Sequence, residues 1–324
     1  MCGEAAEYHS KDFDWEELRL EVENDPSLSH HYLPPPQSHL RQQQQQISHS
    51  KAASVAGAIS AESRAWSEFH TRHSSGKFFK ERRYLLKEFP ELVSCPDHSM
   101  VLEVGCGNGS TVLPILRGKA KVTVYACDCS AEALERAKEN IEAANLSGSV
   151  DRFVSFSCDF ALDGFPKWLV CYPSRGALSE KSILQCSGNE GMEESNGTSR
   201  FFGGMDFVTL IFTLSAVPHQ MMPRAIAECF SVLKPGGLLL FRDYGLYDMT
   251  MFRFGPEKQL GFREYLRSDG TLSYFFSSDV VSDLFTGAGF IKLELDYCCV
   301  KSVNRLRGKC MRRVWVHGKF QKPI

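Results

Sequence analysis

Hydrophobic and polar positions divide most of the chain into short, almost continuously apolar runs separated by stretches with a helical repeat. The runs at 100–104, 122–127, 153–157, 207–212 and 238–242 are apolar at nearly every position. Such runs are expected of strands in a sheet that helices cover on both faces, because neither side of the strand then meets water. Residues 131–145 carry alanine, leucine and isoleucine at helical spacing behind Ser130, with Glu132 in the first turn, the pattern of a capped helix. A second helix is predicted from Pro223 to Leu233, stopped by Lys234-Pro235-Gly236-Gly237, and a third from Ser278 to about Gly287. Two more apolar runs, 291–297 and 314–320, follow with no long helix between them. Strand–helix alternation that closes on a strand pair predicts an α/β fold: a Rossmann-like, mostly parallel seven-stranded sheet with a terminal antiparallel strand.

Two segments break the pattern. Residues 1–60 hold Ser27-Leu-Ser-His-His31, Pro34-Pro35-Pro36 and the glutamines 42–46. Such sequence buries too little apolar surface to offset the entropy of folding, so a disordered, low-complexity tail is expected there. Residues 172–204, with Ser187-Gly-Asn-Glu-Gly-Met-Glu-Glu-Ser-Asn-Gly197, read as a flexible surface insertion. At roughly 150 residues per domain a chain of 324 suggests about two domains. The pattern instead assigns one large domain at 96–324, preceded at 61–95 by a basic and aromatic segment. No apolar run reaches the ~20 residues of a membrane helix, and the acidic opening is unlike a secretory or organellar leader. A cytoplasmic location, extending to the nucleus, and no membrane partner are therefore expected. Twelve cysteines are scattered without a Cys-x-x-Cys pair, which predicts reduced thiols and no metal.

Charge changes the picture once it is located. Lys and Arg number 37 against 39 Asp and Glu, a formal charge of −2 that by itself argues against a polyanionic partner. The first thirty residues are acidic, however, with only Lys11 and Arg19 opposing. Arg72, Lys77, Lys80, Arg82, Arg83 and Lys87 crowd one segment, and Lys301, Arg305, Arg307, Lys309, Arg312, Arg313, Lys319 and Lys322 crowd the end. Two basic clusters suit phosphate contacts, and Phe78, Phe79 and Tyr84 within the first suit base stacking.

The strongest local chemistry lies in Val101-Leu-Glu-Val-Gly105-Cys-Gly107-Asn-Gly109, where the first strand should feed the first helix. Glycines there let the backbone approach a ligand closely. The spacing Gly-x-Gly-x-Gly, Asp128 after the second strand and Asp159-Phe160 after the third point to S-adenosyl-L-methionine rather than a nicotinamide cofactor. Asp128 is placed for ribose hydroxyls, and Asp159-Phe160 for the adenine edge and face. The competing reading is that both acids only cap the next helices.

Longer motifs carry a family resemblance. Glu103-Val-Gly-Cys-Gly-Asn-Gly109, Ala126-Cys-Asp128, Ile211-Phe-Thr-Leu-Ser-Ala-Val217, Leu233-Lys-Pro-Gly-Gly237 and Phe241-Arg-Asp-Tyr-Gly-Leu-Tyr-Asp248 are similar to those of the methyltransferase-like tRNA cytidine-N3 methyltransferases. So are Trp66-Ser-Glu-Phe-His70, Lys77-Phe-Phe-Lys-Glu-Arg-Arg83, Asp269-Gly-Thr-Leu-Ser-Tyr-Phe-Phe276 and Lys319-Phe-Gln-Lys-Pro323. The resemblance runs from Ala61 to the C-terminus, apart from the insertion. It implies a class I methyltransferase fold forming 3-methylcytidine in the tRNA anticodon stem-loop, at position 32. It also implies that Trp66, His70, Gly105, Asp128, Asp159, Phe160 and Ile211 contact the cofactor, alongside Gly107 of the glycine turn. The family has tyrosine where His70 stands, and Arg-His-Trp where this chain has Arg82-Arg83-Tyr84. An aminoacyl-tRNA synthetase or another RNA-binding protein is a candidate partner.

A sulfonium methyl is already activated, so its transfer to a nitrogen lone pair needs positioning more than acid–base help. Methylation leaves positive charge on the cytosine, which a nearby carboxylate would stabilise. Asp243, at the end of the fifth strand, is the first candidate, because strand C-termini line the ligand crevice of such sheets. Asp248 is the second, and Arg82 is the cation expected in the active site. An ion pair between Arg242 and Asp243 is the structural alternative. Tyr244 or Tyr247 could stack on the base, with Thr213 and Ser215 in support. The rival functions are a small-molecule methyltransferase and a non-catalytic binding subunit, and the intact glycine turn with its two acids argues against the latter.

Overall fold

The computed structural model describes residues 11–35, 55–73, 80–146, 148–170, 203–304 and 308–324. The expected insertion lies outside these residues except at its last two positions, as do Lys77, Phe78 and Phe79. In chain order the strands are β1 (Met100–Val104), β2 (Thr123–Asp128), β3 (Phe153–Ser157), β4 (Met205–Ile211), β5 (Leu233–Tyr244), β6 (Gln259–Gly261), β7 (Glu264–Leu266), β8 (Leu272–Tyr274), β9 (Ile291–Asn304) and β10 (Lys309–Gln321). Seven form the main sheet in the order β3-β2-β1-β4-β5-β10-β9. β1 to β5 run parallel, and β10, last in the chain, lies antiparallel between β5 and the edge strand β9.

The apolar runs form strands because their two faces feed two separate cores. Leu102, Val104, Val208, Leu210, Leu239 and Phe241 are buried on one side, and Val101, Val124, Ala126, Phe207 and Leu240 on the other. That is the alternation of a strand buried on both faces, and each such side chain contributes about 1.5–3 kcal/mol on leaving water. Ser130 caps the helix Ala131–Ala143 as expected, its Oγ accepting from Ala133 N at 3.3 Å. β1 pairs with β2 on one side and β4 on the other, so the strand order reverses at β1 and a crevice opens beyond the C-terminal ends of β1 and β4.

Three features depart from the sequence reading. Residues 11–35 do not form a disordered tail. Asp14 caps the helix Trp15–Glu23, whose Leu18 and Val22 are buried against Tyr247, Met251, Tyr265, Phe275 and Val314. Trp15 stacks on Tyr297 at 4.4 Å and donates from Nε1 to Leu246 O at 3.2 Å. The polar composition of the whole segment conceals a Trp15/Leu18/Val22 stripe on one helical face. Secondly, the helix Val55–Arg72 crosses the expected boundary at residue 60. Thirdly, β6, β7 and β8 form a small antiparallel sheet between β5 and the helix Ser278–Gly287.

Candidate active site

A cavity of about 460 Å³ opens at the reversal point, and its walls fall into two groups of touching side chains. The first surrounds the β1 loop. Gly105 and Gly107 have φ of +65° and +52°, where a side chain is strained. A Cβ on Gly105 would also lie 2.4 Å from Thr213 Cγ2. Asp128, at the end of β2, holds this loop: its Oδ2 accepts from Gly107 N and its Oδ1 from Ser130 N, each at 2.9 Å. Each oxygen keeps a further lone pair for a ligand hydroxyl. Asp159 accepts at Oδ1 from Leu162 N at 3.1 Å, and at its other oxygen from the Ser63 hydroxyl. Neither acid caps the next helix, since Ser130 caps the one after Asp128 and the one after Asp159 has no side-chain cap; both brace turns and both line the cavity.

The helix Val55–Arg72 covers this group. Glu62, Ser63, Trp66, Phe69 and His70 line the cavity, a stripe at the i, i+3, i+4, i+7 spacing of one helical face. Glu62 accepts from Leu272 N of β8 at 3.0 Å, joining the cover to the small sheet. Burial lifts its carboxyl to about 8. Burial also holds the His70 imidazole below its usual pKa, with Asp128 opposing, so the ring is neutral at pH 7.

The second group is aromatic and cationic: Arg82, Tyr84, Phe212, Arg242, Tyr244, Arg267, Arg313 and Trp315 all line the cavity. Phe212 has φ of +55°, unusual for a bulky residue. Its ring lies 5.2 Å from that of Tyr244 and 6.4 Å from that of Trp315. The Arg82 guanidinium sits 5.1 Å from the Phe212 ring and donates to Thr111 Oγ1 at 2.8 Å. The Trp315 ring lies 4.4 Å from Arg242 Cζ and 5.2 Å from Arg313 Cζ.

Of the residues named from the sequence, Trp66, His70, Arg82, Gly105, Gly107, Asp128, Asp159, Phe160 and Ile211 come together around the cavity. Asp243 and Asp248 are fully buried and are absent from its lining. Asp243 accepts from Ser215 N at 2.9 Å and Tyr244 N at 2.8 Å, and burial lifts it to about 6. It lies behind the Ser215 turn, which does face the cavity. Asp248 accepts from Arg313 Nε at 2.8 Å and from Val314 N and Thr250 N at 2.9 Å each, which makes it the anchor of a turn. The suspected Arg242–Asp243 ion pair is also not found, because neighbours on a strand face opposite ways. Arg242 pairs instead with Glu88.

In the C-terminal basic cluster, four cations are engaged elsewhere in the protein, while Lys301 is exposed and Arg305, Arg307 and the Lys309 side chain lie outside what the structure describes. Arg312 pairs with Glu21 at 2.7 Å, Arg313 with Asp248, and Lys319 with both Glu91 and Glu294 at 2.9 Å. Lys322 Nζ donates to Phe230 O and Leu233 O. In the first cluster Lys80, Arg83 and Lys87 stay exposed beside Arg82 and Tyr84. Sequence reasoning missed Phe212, Arg242, Arg267 and Trp315. Arg242 was within reach, since strand alternation puts 242 and 244 on one face; Trp315 follows only from its register opposite Tyr244.

The residues present fit S-adenosyl-L-methionine. On the cofactor side of the cavity Trp66 Nε1 and Asn108 Oδ1 are buried with no hydrogen-bond partner. A lost buried partner costs about 1–3 kcal/mol, which a polar ligand would offset. A profile described as "Methyltransferase domain" matches residues 78–295. The human protein named "tRNA N(3)-cytidine methyltransferase METTL6" is 35% identical over 80% of this chain and 79% of its own length. The Drosophila melanogaster "tRNA N(3)-methylcytidine methyltransferase Mettl2" is likewise 35% identical, over 80% of this chain and 71% of its own. "O-methyltransferase 3" of Dictyostelium discoideum is 36% identical over 74% of this chain, but only 47% of that protein is covered. A solved structure of a SAM-dependent methyltransferase from Anabaena variabilis superposes with a TM-score of 0.52 at 13% identity, over 80% of this chain and 94% of that one, and shares its fold.

Sheet order, glycine turn and the two acids together define a class I S-adenosyl-L-methionine-dependent methyltransferase. Within that class, identity across most of both chains places the protein in the tRNA N(3)-cytidine methyltransferase family, to which it belongs.

Proposed function

We propose that this chain methylates N3 of a cytidine in the anticodon loop of tRNA. The observation that carries the reading is the chemistry of the cavity's second wall: four aromatic rings and four guanidinium groups, with no histidine or carboxylate among the described residues of that wall. An oxygen acceptor must shed a proton to become a nucleophile and calls for a base at hand. Cytosine N3 offers a free lone pair at neutral pH and needs none. The same nitrogen is paired in a duplex, so the base must come from a loop or be turned out of the stack.

When bound, S-adenosyl-L-methionine supplies a methyl group already activated on sulfur. The chain's own residues align the acceptor. Asp128 and Gly107 N fix the loop, and Trp66 and the neutral His70 close the helix over it. Tyr84, Phe212, Tyr244 and Trp315 offer ring faces on which the base stacks, and the same faces attract the positive charge that the base acquires. Trp315 Nε1, buried with no hydrogen-bond partner, is a donor for a base oxygen, and Arg267 suits a flanking phosphate. Asp243 serves through Ser215, whose N–H it holds 2.9 Å away. Partner proteins such as an aminoacyl-tRNA synthetase would supply tRNA from outside the cavity.

The second reading, methylation of an oxygen on a small molecule, draws on the O-methyltransferase name of one relative. The test is incubation of the purified chain with labelled S-adenosyl-L-methionine and either total tRNA or a panel of small phenols, with and without a synthetase fraction. Label in 3-methylcytidine supports the proposal. Label in the phenols alone overturns it.

A further inference from the structure

Arg242 is only 1% exposed, yet it forms part of the cavity wall. A buried guanidinium stays charged and needs a counter-charge, which here comes from Glu88, 154 positions earlier on the short helix Leu85–Glu88. Glu88 is equally buried, and its Oε1 also lies 2.9 Å from His317 Nδ1. His317, on β10, is the cross-strand partner of Arg242 and stacks on Phe89 at 4.8 Å. Its Nε2 lies 3.3 Å from Glu294, which Lys319 holds from the surface side. On the other side, Arg242 Cζ stands 4.4 Å from the Trp315 ring, 4.9 Å from that of Tyr84 and 6.0 Å from that of Phe212. One cation thus touches three of the four rings that line the acceptor side.

We infer that Glu88, Arg242 and His317 form a positioning unit for the acceptor base: Arg242 sets the spacing of the three rings, and Glu88, oriented by His317, cancels its charge. The inference rests on the proposed reaction, in which the acceptor gains positive charge. A bare guanidinium in the pocket wall would oppose that charge, and the opposition would grow as transfer proceeds. Glu88 removes it without placing a carboxylate in the pocket. Neither Glu88 nor His317 lines the cavity, so both act through Arg242 and the rings. Lysine cannot replace Arg242, because an ammonium lacks the flat face that lies along rings and the fork that meets a carboxylate.

The experiment compares Glu88→Gln, His317→Asn and Arg242→Lys with wild type. Glu21→Gln, which breaks the surface pair to Arg312, serves as a control for ion-pair loss. Thermal melts, S-adenosyl-L-methionine affinity, and kcat and KM for tRNA are measured for each. Glu88→Gln is expected to lower kcat about 10-fold or more, equivalent to 1.4 kcal/mol or more of barrier. Its cofactor affinity should stay within about threefold of wild type. His317→Asn, which keeps a side-chain donor for Glu88, should lose less, and Glu21→Gln nothing. A folded Glu88→Gln with wild-type kcat, or with its loss in cofactor affinity instead, overturns the inference. If Glu88→Gln does not fold, Arg242→Lys decides, since wild-type kcat there removes the need for a guanidinium. A wild type that methylates something other than cytidine overturns the proposed function instead, and the same variants then read out on that product.

Discussion

Gly105→Ala probes the cofactor loop at its tightest point. The added Cβ would sit 2.4 Å from Thr213 Cγ2 and 2.7 Å from Thr213 Oγ1, and the backbone there has φ of +65°. The left-handed conformation alone costs alanine about 1–2 kcal/mol. Relief of the overlap requires Thr213 to turn away, which breaks its hydroxyl bond to Val104 O at 3.0 Å and costs about 1 kcal/mol more. A stability loss of about 2–3 kcal/mol is expected, and cofactor affinity should fall about tenfold or more as the loop shifts. Urea denaturation and a fluorescence titration with S-adenosyl-L-homocysteine measure the two effects. Thr213→Ala removes both clashing atoms but also the bond to Val104 O, so the double mutant should be about as stable as Gly105→Ala alone, a coupling of about 1 kcal/mol in the double-mutant cycle. An unchanged midpoint with affinity within twofold of wild type, or purely additive losses, would mean that Gly105 is not held against Thr213.

Other residues give sharper contrasts. Asp128→Asn puts an amide donor against the N–H of Gly107 or Ser130, and calorimetry should show cofactor affinity reduced about tenfold or more. Asp248→Ala strips a buried partner from Arg313, Val314 and Thr250, and should cost about 3–5 kcal/mol in chemical denaturation with cofactor affinity retained. Asp243→Asn should lower kcat for tRNA while leaving the cofactor dissociation constant nearly unchanged; equal losses in both would remove Asp243 from the acceptor side. Its pH signature is separate. Burial raises Asp243 from about 4 unfolded to about 6 folded, so its contribution to stability is full below pH 4 and is lost as pH rises through 6. Across that window Asp243→Asn should gain up to about 3 kcal/mol on wild type, read from denaturation midpoints at pH 4.5 and 6.5.

The centre of the sheet was legible because the runs in β1, β2, β4 and β5 are apolar on both faces, a signal that survives without knowing their neighbours. Ser130 and the glycine turn were legible because caps and loops are decided by a few adjacent residues. What stayed hidden depends on distant pairing. Lys319 and Arg313 read as free cations until Glu91, Glu294 and Asp248 are brought beside them. Glu88 gave no sign of its role because its partners lie on β5 and β10, more than 150 residues away in sequence. Asp243 was misplaced for a local reason. The end of a strand lines the crevice, but only on alternate positions, and Arg242 and Tyr244 hold them.

Nucleoside mass spectrometry of a tRNA transcript treated with the purified chain and S-adenosyl-L-methionine shows whether a carbon–nitrogen bond forms at cytosine N3. The prediction is 3-methylcytidine in the wild-type transcript and none when the anticodon-loop cytidine is replaced by uridine. No 3-methylcytidine from folded, cofactor-binding protein supplied with a synthetase fraction, or a methyl group on a ribose oxygen instead, would contradict the account.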